Sequence, residues 1–203
     1  MPHNKNSKQK QISFIRKIMV NHKDFWLLAF LLIIAFSLRL YKYDAPIADW
    51  HSWRQADTAA VARNYARNGI DLLYPRFDDI SNIQSGIYNP QGYRFVEFPL
   101  YNAAIAFLYT NVPIVSLESY GRLINVFMSL VLMSILYYCA LKEIGRLSAF
   151  ISTLVFATFP FFVYYSRVVL PEMTALTLMF ISIIITYVLC TARNIPRYFF
   201  IML

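Results

Sequence analysis

The chain has 203 residues, of which 58% are hydrophobic and only 15% charged, with a formal charge of +8 and a mean hydropathy of +0.46. A soluble domain carries about 25% charged residues, so the deficit excludes an ordinary soluble globule and points to a polytopic, all-α membrane protein. The positive charge sits in a basic N-terminal run (Lys5, Lys8, Lys10, Arg16, Lys17, Lys23) rather than in a stripe along a fold, which argues against a nucleic-acid partner.

In chain order, residues 1–23 read as a basic cytoplasmic tail. Phe14, Ile15, Ile18 and Met19 fall on one helical face, which leaves a surface helix and a solvated tail both open. No small-residue cleavage site follows the first apolar run, so it is read as a helix that stays in the membrane. The transmembrane domain is expected over 24–203, with spans at about 24–43, 121–141, 147–166 and 171–191. Arg39 and Lys42 close the first span and are expected to snorkel among Tyr41 and Tyr43. Pro160 is expected to kink the third. Cys139 and Cys190 fall in apolar runs and read as buried small hydrophobes. The chain ends in an apolar run at 199–203, which reads as the start of a further helix in a longer protein.

Residues 44–98 are too polar to cross a bilayer and form the expected functional loop. Ser52-x-x-Gln55 reads as a capping box and Asn68-Gly69 as a helix stop. Val61, Ala62 and Tyr65 share a face opposite Arg63 and Arg67, as in a helix lying on the membrane surface. Residues 71–94 read as loop. Pro99–Val112 is short for a span. If it does not cross, Lys142–Arg146, Arg193 and Arg197 join the N-terminus on the cytoplasmic side, and the loop shares the outer side with Arg167–Glu172.

That topology gathers candidate groups at one membrane face. Asp49, Glu97 and Glu172 are candidate catalytic acids, with Asp57 a rival to Asp49 as base. Glu172 also fits a helix-opening carboxylate, and Asp49 or Asp57 a loop salt bridge. A carboxylate beside Arg54 and His51 is expected to stay ionised. His51, Trp53, Arg54 and Tyr93 are candidate substrate contacts, the aromatics as stacking surfaces or interfacial anchors. Arg122 and Arg167 stand at helix ends, where each suits a lipid phosphate or an interfacial anchor. No glycine-rich phosphate loop is present. A divalent cation between paired acids stays open.

Asp49 after the first span, the helix ending at Gly69, Glu97-Phe98-Pro99-Leu100, and Tyr165-Ser166-Arg167 followed by Pro171-Glu172 resemble the GT-C membrane glycosyltransferases. The nearest resemblance is to family 39, the protein-mannosyltransferase and aminoarabinose-transferase-like group. The resemblance implies a GT-C-like transmembrane helix bundle with an extracytoplasmic first loop, in a bacterial plasma membrane. It implies a polyprenyl-phosphate-linked sugar donor and a glycan, lipid or protein acceptor. It carries the base or acceptor-orienting acid onto Asp49, the acid of the Glu-x-Pro-Pro element onto Glu97, and a later helix-opening acid onto Glu172. A departure is Phe98, where a lysine is common in that family. A lipid-linked glycan transporter or flippase and a non-catalytic assembly subunit are the alternatives.

Overall fold

The structure, a computed structural model, describes residues 22–82 and 86–192. The tail before His22 with its surface-helix face, Arg193, Arg197 and the run at 199–203 lie outside the described residues. The described part is all-helical, with an isolated bridge between Arg76 and Tyr93 in place of any strand. The helices are α1 His22–Arg39, α2 Ser52–Asn68, α3 Leu100–Asn111, α4 Leu117–Glu143, α5 Arg146–Thr158, α6 Pro160–Tyr165 and α7 Glu172–Ala192.

Two of them, α4 and α7, are long and apolar enough to cross a membrane. Helix α3 has 12 residues, roughly 18 Å of rise, well short of a ~30 Å hydrocarbon core. Long-range pairs fix the directions. Asp24 in the first turn of α1 pairs with Arg146 at the start of α5, and Arg39 at the end of α1 reaches the end of α5. Helices α1 and α5 are therefore parallel, and α4, joined to α5 through Ile144 and Gly145, runs against both. Thr174 and Thr177 of α7 bond Asn125 and the Met128 carbonyl of α4, so α7 runs alongside α4. The bundle thus has an Asp24 end and an Asp49 end.

Leu28, Leu31, Ala35, Met133, Tyr137, Ala149 and Ala157 make the seam between α1, α4 and α5. The small residues of α5 recur every fourth position and let the helices approach closely. At the Asp49 end, α2 lies across α3 and the start of α4. Ala59, Ala62, Tyr101, Ile105, Leu117, Tyr120 and Val169 form a second core there. The apolar face of α2 that suggested a membrane-surface helix is thus covered by protein: Val61 and Tyr65 pack on Ala106 of α3. Gly121 lies at the centre of this core, where a Cβ would meet the Tyr101 hydroxyl and Val169 Cγ1 at 3.0 Å and Ile105 Cδ1 at 3.1 Å.

The third expected span is two helices. Pro160 has no N–H for the Phe156 carbonyl, and Phe159 before it is extended (φ −65°, ψ 125°), so the Ala157 carbonyl loses its helical donor too. Arg39 supplies what is missing. Its Nη2 donates to the Phe156 oxygen and its Nη1 to the Ala157 oxygen, both at 3.0 Å, with a third bond to Ala35. The expectation that Arg39 snorkels outward is therefore corrected. The residue is 0% exposed, because the broken helix beside it offers acceptors that lipid does not. Cys139 is also corrected: it is exposed on the outside of α4, away from the seam. The side chain of Cys190 lies outside the described residues.

Candidate functional site

The Asp49 end is built from three irregular segments. They are the loop from Leu40 to His51, the turn from Ser166 to Pro171, and the first turn of α2. His51 has a left-handed backbone (φ 57°), a conformation enriched in His, Asn and Asp among non-glycine residues. It turns the loop into α2, whose Ser52 N–H bonds the Asp49 carbonyl at 3.1 Å. The Ser52–Gln55 capping box does not form, since the cap position is His51 and carries no side-chain cap bond. The stop at Gly69 is as expected, with φ 93° there, a value that favours glycine.

Freed from capping, the Gln55 side chain joins two segments. Its Nε2 donates to Asp49 Oδ1 at 2.7 Å and to the Trp50 carbonyl at 3.0 Å, while its Oε1 accepts from the Val169 N–H at 3.1 Å. Gln55 is 0% exposed, so these bonds are shielded from water. The Tyr164 hydroxyl donates to the Trp50 carbonyl at 2.6 Å and also faces the Asp49 carboxylate. Asp49 is thereby oriented from two sides while it remains part-exposed.

Three arginines lie at this end of the bundle. Arg167 donates to the Tyr41 carbonyl at 2.8 Å, with the Tyr41 and Tyr164 rings each 5.7 Å from its guanidinium. Arg122 is 3% exposed and donates to the Tyr43 and Ala45 carbonyls. Asp49 is the charge that acts on it most strongly. Arg122 is thus part of the wall rather than an outward anchor, whereas Arg167 is part-exposed. Arg54 pairs with Glu172 at 2.6 Å, both side chains part-exposed. Asn125, fully buried, donates to the Val168 and Leu170 carbonyls at 2.7 and 2.6 Å and accepts from Thr174. It fixes the turn that delivers Glu172 to the start of α7, where a carboxylate suits the dipole.

The remaining candidates lie elsewhere. Asp57 pairs with Arg94 at 2.9 Å rather than with Arg54. Burial pushes the Asp57 carboxyl up, against the pull of Arg94. Glu97 lines a small pocket beside that pair with Val61, Pro75, Arg94, Pro99 and Asn102, so it is grouped with Asp57 and not with Asp49 and Glu172. Tyr93 belongs to a cluster with Tyr74 and Phe95, ring centroids 5.8 and 5.5 Å away. Trp53 is 67% exposed on α2, and His51 lies between a stacked Trp50 at 5.7 Å and Tyr165 at 6.5 Å.

Gln55 and Tyr164 were missed as site residues by local reading. For Asn125 a signal existed, an amide in an otherwise apolar helix. Among the described residues no group of three or more His, Cys, Asp or Glu is arranged to hold a metal ion. No protein-family model, curated protein or solved structure matches this chain.

Proposed function

We propose that the chain carries the acceptor-activating site of a membrane glycosyltransferase of GT-C type. It would use a polyprenyl-phosphate-linked sugar as donor and a glycan, lipid or protein as acceptor. In this reading the bundle is embedded with its Asp24 end in the cytoplasm, and the chemistry occurs at the opposite face. One observation carries it. The Asp49 carboxylate is held by Gln55, at the end of an apolar bundle that also presents Arg167 and the Arg54–Glu172 pair.

Asp49 accepts the proton of the acceptor hydroxyl as that oxygen bonds to the anomeric carbon. The bond from that carbon to the lipid phosphate breaks, and the phosphate leaves with the electron pair. Arg167 faces the developing negative charge, backed by the buried Arg122. Glu172 holds Arg54 beside the acceptor path. Asp57, paired with Arg94, is kept as the rival base.

The test is transfer of radiolabelled sugar from a polyprenyl-phosphate donor in membranes holding the full chain. Asp49→Asn is expected to lower the rate at least about 100-fold with unchanged membrane insertion, while Asp57→Asn keeps most of it. A dead Asp57→Asn with an active Asp49→Asn would move the base. Full activity in both variants would sink the mechanism.

A transporter for a lipid-linked glycan is the second reading, favoured by the helix break at Phe159–Pro160 and the buried Arg39 beside it. It predicts movement of the lipid across sealed vesicles with the sugar bond intact.

A further inference from the structure

The C-terminal end of α2 carries a second feature that the Asp49 chemistry does not use. A cleft of about 380 Å³ opens there between α2 and the loop that follows, lined by Asn64, Tyr65, Asn68, Asp71, Tyr74 and Arg76. Its size is within the range of small-ligand sites.

The walls are pre-formed. The Asn64 amide is fixed by bonds to the Ala60 and Arg76 carbonyls and to Asp78. The Tyr65 hydroxyl holds the Asp71 carbonyl at 2.6 Å, and Asp71 Oδ1 caps the turn by accepting from the Leu73 and Tyr74 N–H groups. Arg76 lies 5.1 Å over the Tyr93 ring and is bridged to Tyr93 through the backbone.

The lining also states what it would take. Tyr74 offers a ring that is 55% exposed, braced at 5.8 Å by Tyr93. Among the described residues the Asn68 amide has no hydrogen-bond partner, so both its donor and its acceptor are available. Asp71 and Arg76 cancel in charge. The carbonyl end of α2 points at the cleft and disfavours an anion. An open aromatic face beside an amide, a carboxylate and a guanidinium, with no net charge, matches a neutral polyhydroxylated ligand rather than a phosphate or an ammonium.

We propose that this cleft binds a neutral oligosaccharide, the distal part of an acceptor glycan. The word acceptor rests on the glycosyl-transfer reading above; the binding does not. Asn68 is at the far end of α2 from Asp49, roughly 20 Å away at 1.5 Å rise per residue. The contact would supply binding energy remote from the reacting centre.

The experiment is saturation-transfer NMR on the detergent-solubilised full chain with maltohexaose, chitohexaose and mannohexaose as probes. At least one is expected to bind, with Tyr74→Ala weakening it about tenfold and Asn68→Ala weakening it less. Tyr74 and Asn68 are exposed, so neither variant threatens the fold. Binding of none of the three probes, or unaltered binding by Tyr74→Ala, would each overturn the site. A chain that binds a probe but transfers no sugar defeats the enzymatic reading and keeps the cleft. A chain that transfers sugar without binding any probe does the reverse.

Discussion

The two ends of the bundle solve different problems. At the Asp24 end, α4 turns into α5 through Ile144 and Gly145, and Asp24 binds Arg146 through both carboxylate oxygens at 2.5 and 3.2 Å. Regular helices meet there and a charge pair holds them. At the Asp49 end the backbone is irregular, and long polar side chains are spent on its carbonyls and amides. Arg39 serves the broken α5, Arg122 and Arg167 the loop after α1, Asn125 the turn before α7, and Gln55 both loop and turn. Such wiring keeps non-helical backbone in place beside an apolar interior, where each unpaired group is costly. It also holds the Asp49 carboxylate between Gln55 and Tyr164 while leaving it part-exposed, which a purely structural end would not need.

The sharpest way to break this comparison is Asp49→Asn. Its loss of transfer, at least about 100-fold, should come with an unchanged melting temperature in detergent, since Asn keeps an oxygen for Gln55. A large drop in stability instead would make the Asp49 end as structural as the other. Next is Arg39→Leu, which leaves the Phe156 and Ala157 carbonyls without donors. The expected destabilisation is about 2–4 kcal/mol by thermal unfolding, with Arg39→Lys losing less. A neutral Arg39→Leu would show that the break needs no cap.

At the Asp24 end the two partners should respond unequally. The Asp24 side chain is 7% exposed and that of Arg146 is 52% exposed. Arg146→Ala strands a buried carboxylate and should lower the melting temperature more than Asp24→Asn, which leaves a solvated arginine. The same thermal measurement reads both, and equal effects would remove the asymmetry. The smallest expected effect is that of pH on Asp57. Its folded carboxyl titrates above the ordinary value of 3.8. The folded state therefore holds this proton longer than the unfolded state does. The contribution is fully present below the ordinary value and is lost as pH rises through the raised one. Comparing unfolding of wild type and Asp57→Asn across that window should show this contribution to the slope removed in the variant.

Signals confined to a few neighbouring residues were legible in the sequence. Gly69 stops α2, Pro171 precedes the helix opened by Glu172, and Pro160 interrupts an apolar run, each through its own backbone preference. What was not legible depended on partners far along the chain. Arg39 reads as a snorkelling end residue until Phe156 and Ala157 are brought beside it. Gln55 reads as half of a capping box until Val169 arrives. Asp57 looks like a neighbour of Arg54 until Arg94 claims it and Glu172 takes Arg54. In each case a local pattern competed with a buried polar group that tertiary packing had left wanting, and the buried group won.

Gly121 ties three distant stretches of chain to a single point. Tyr101 donates its hydroxyl to the Gly121 carbonyl at 2.8 Å, and the same oxygen atom of Tyr101 accepts from Asn125 at 3.1 Å. A methyl group at residue 121 would therefore push outward on α3 and on Val169 at the same moment. The displaced Val169 would drag the amide of Gln55 away from Asp49, so one added carbon on a buried helix face would mistune a carboxylate that it never touches.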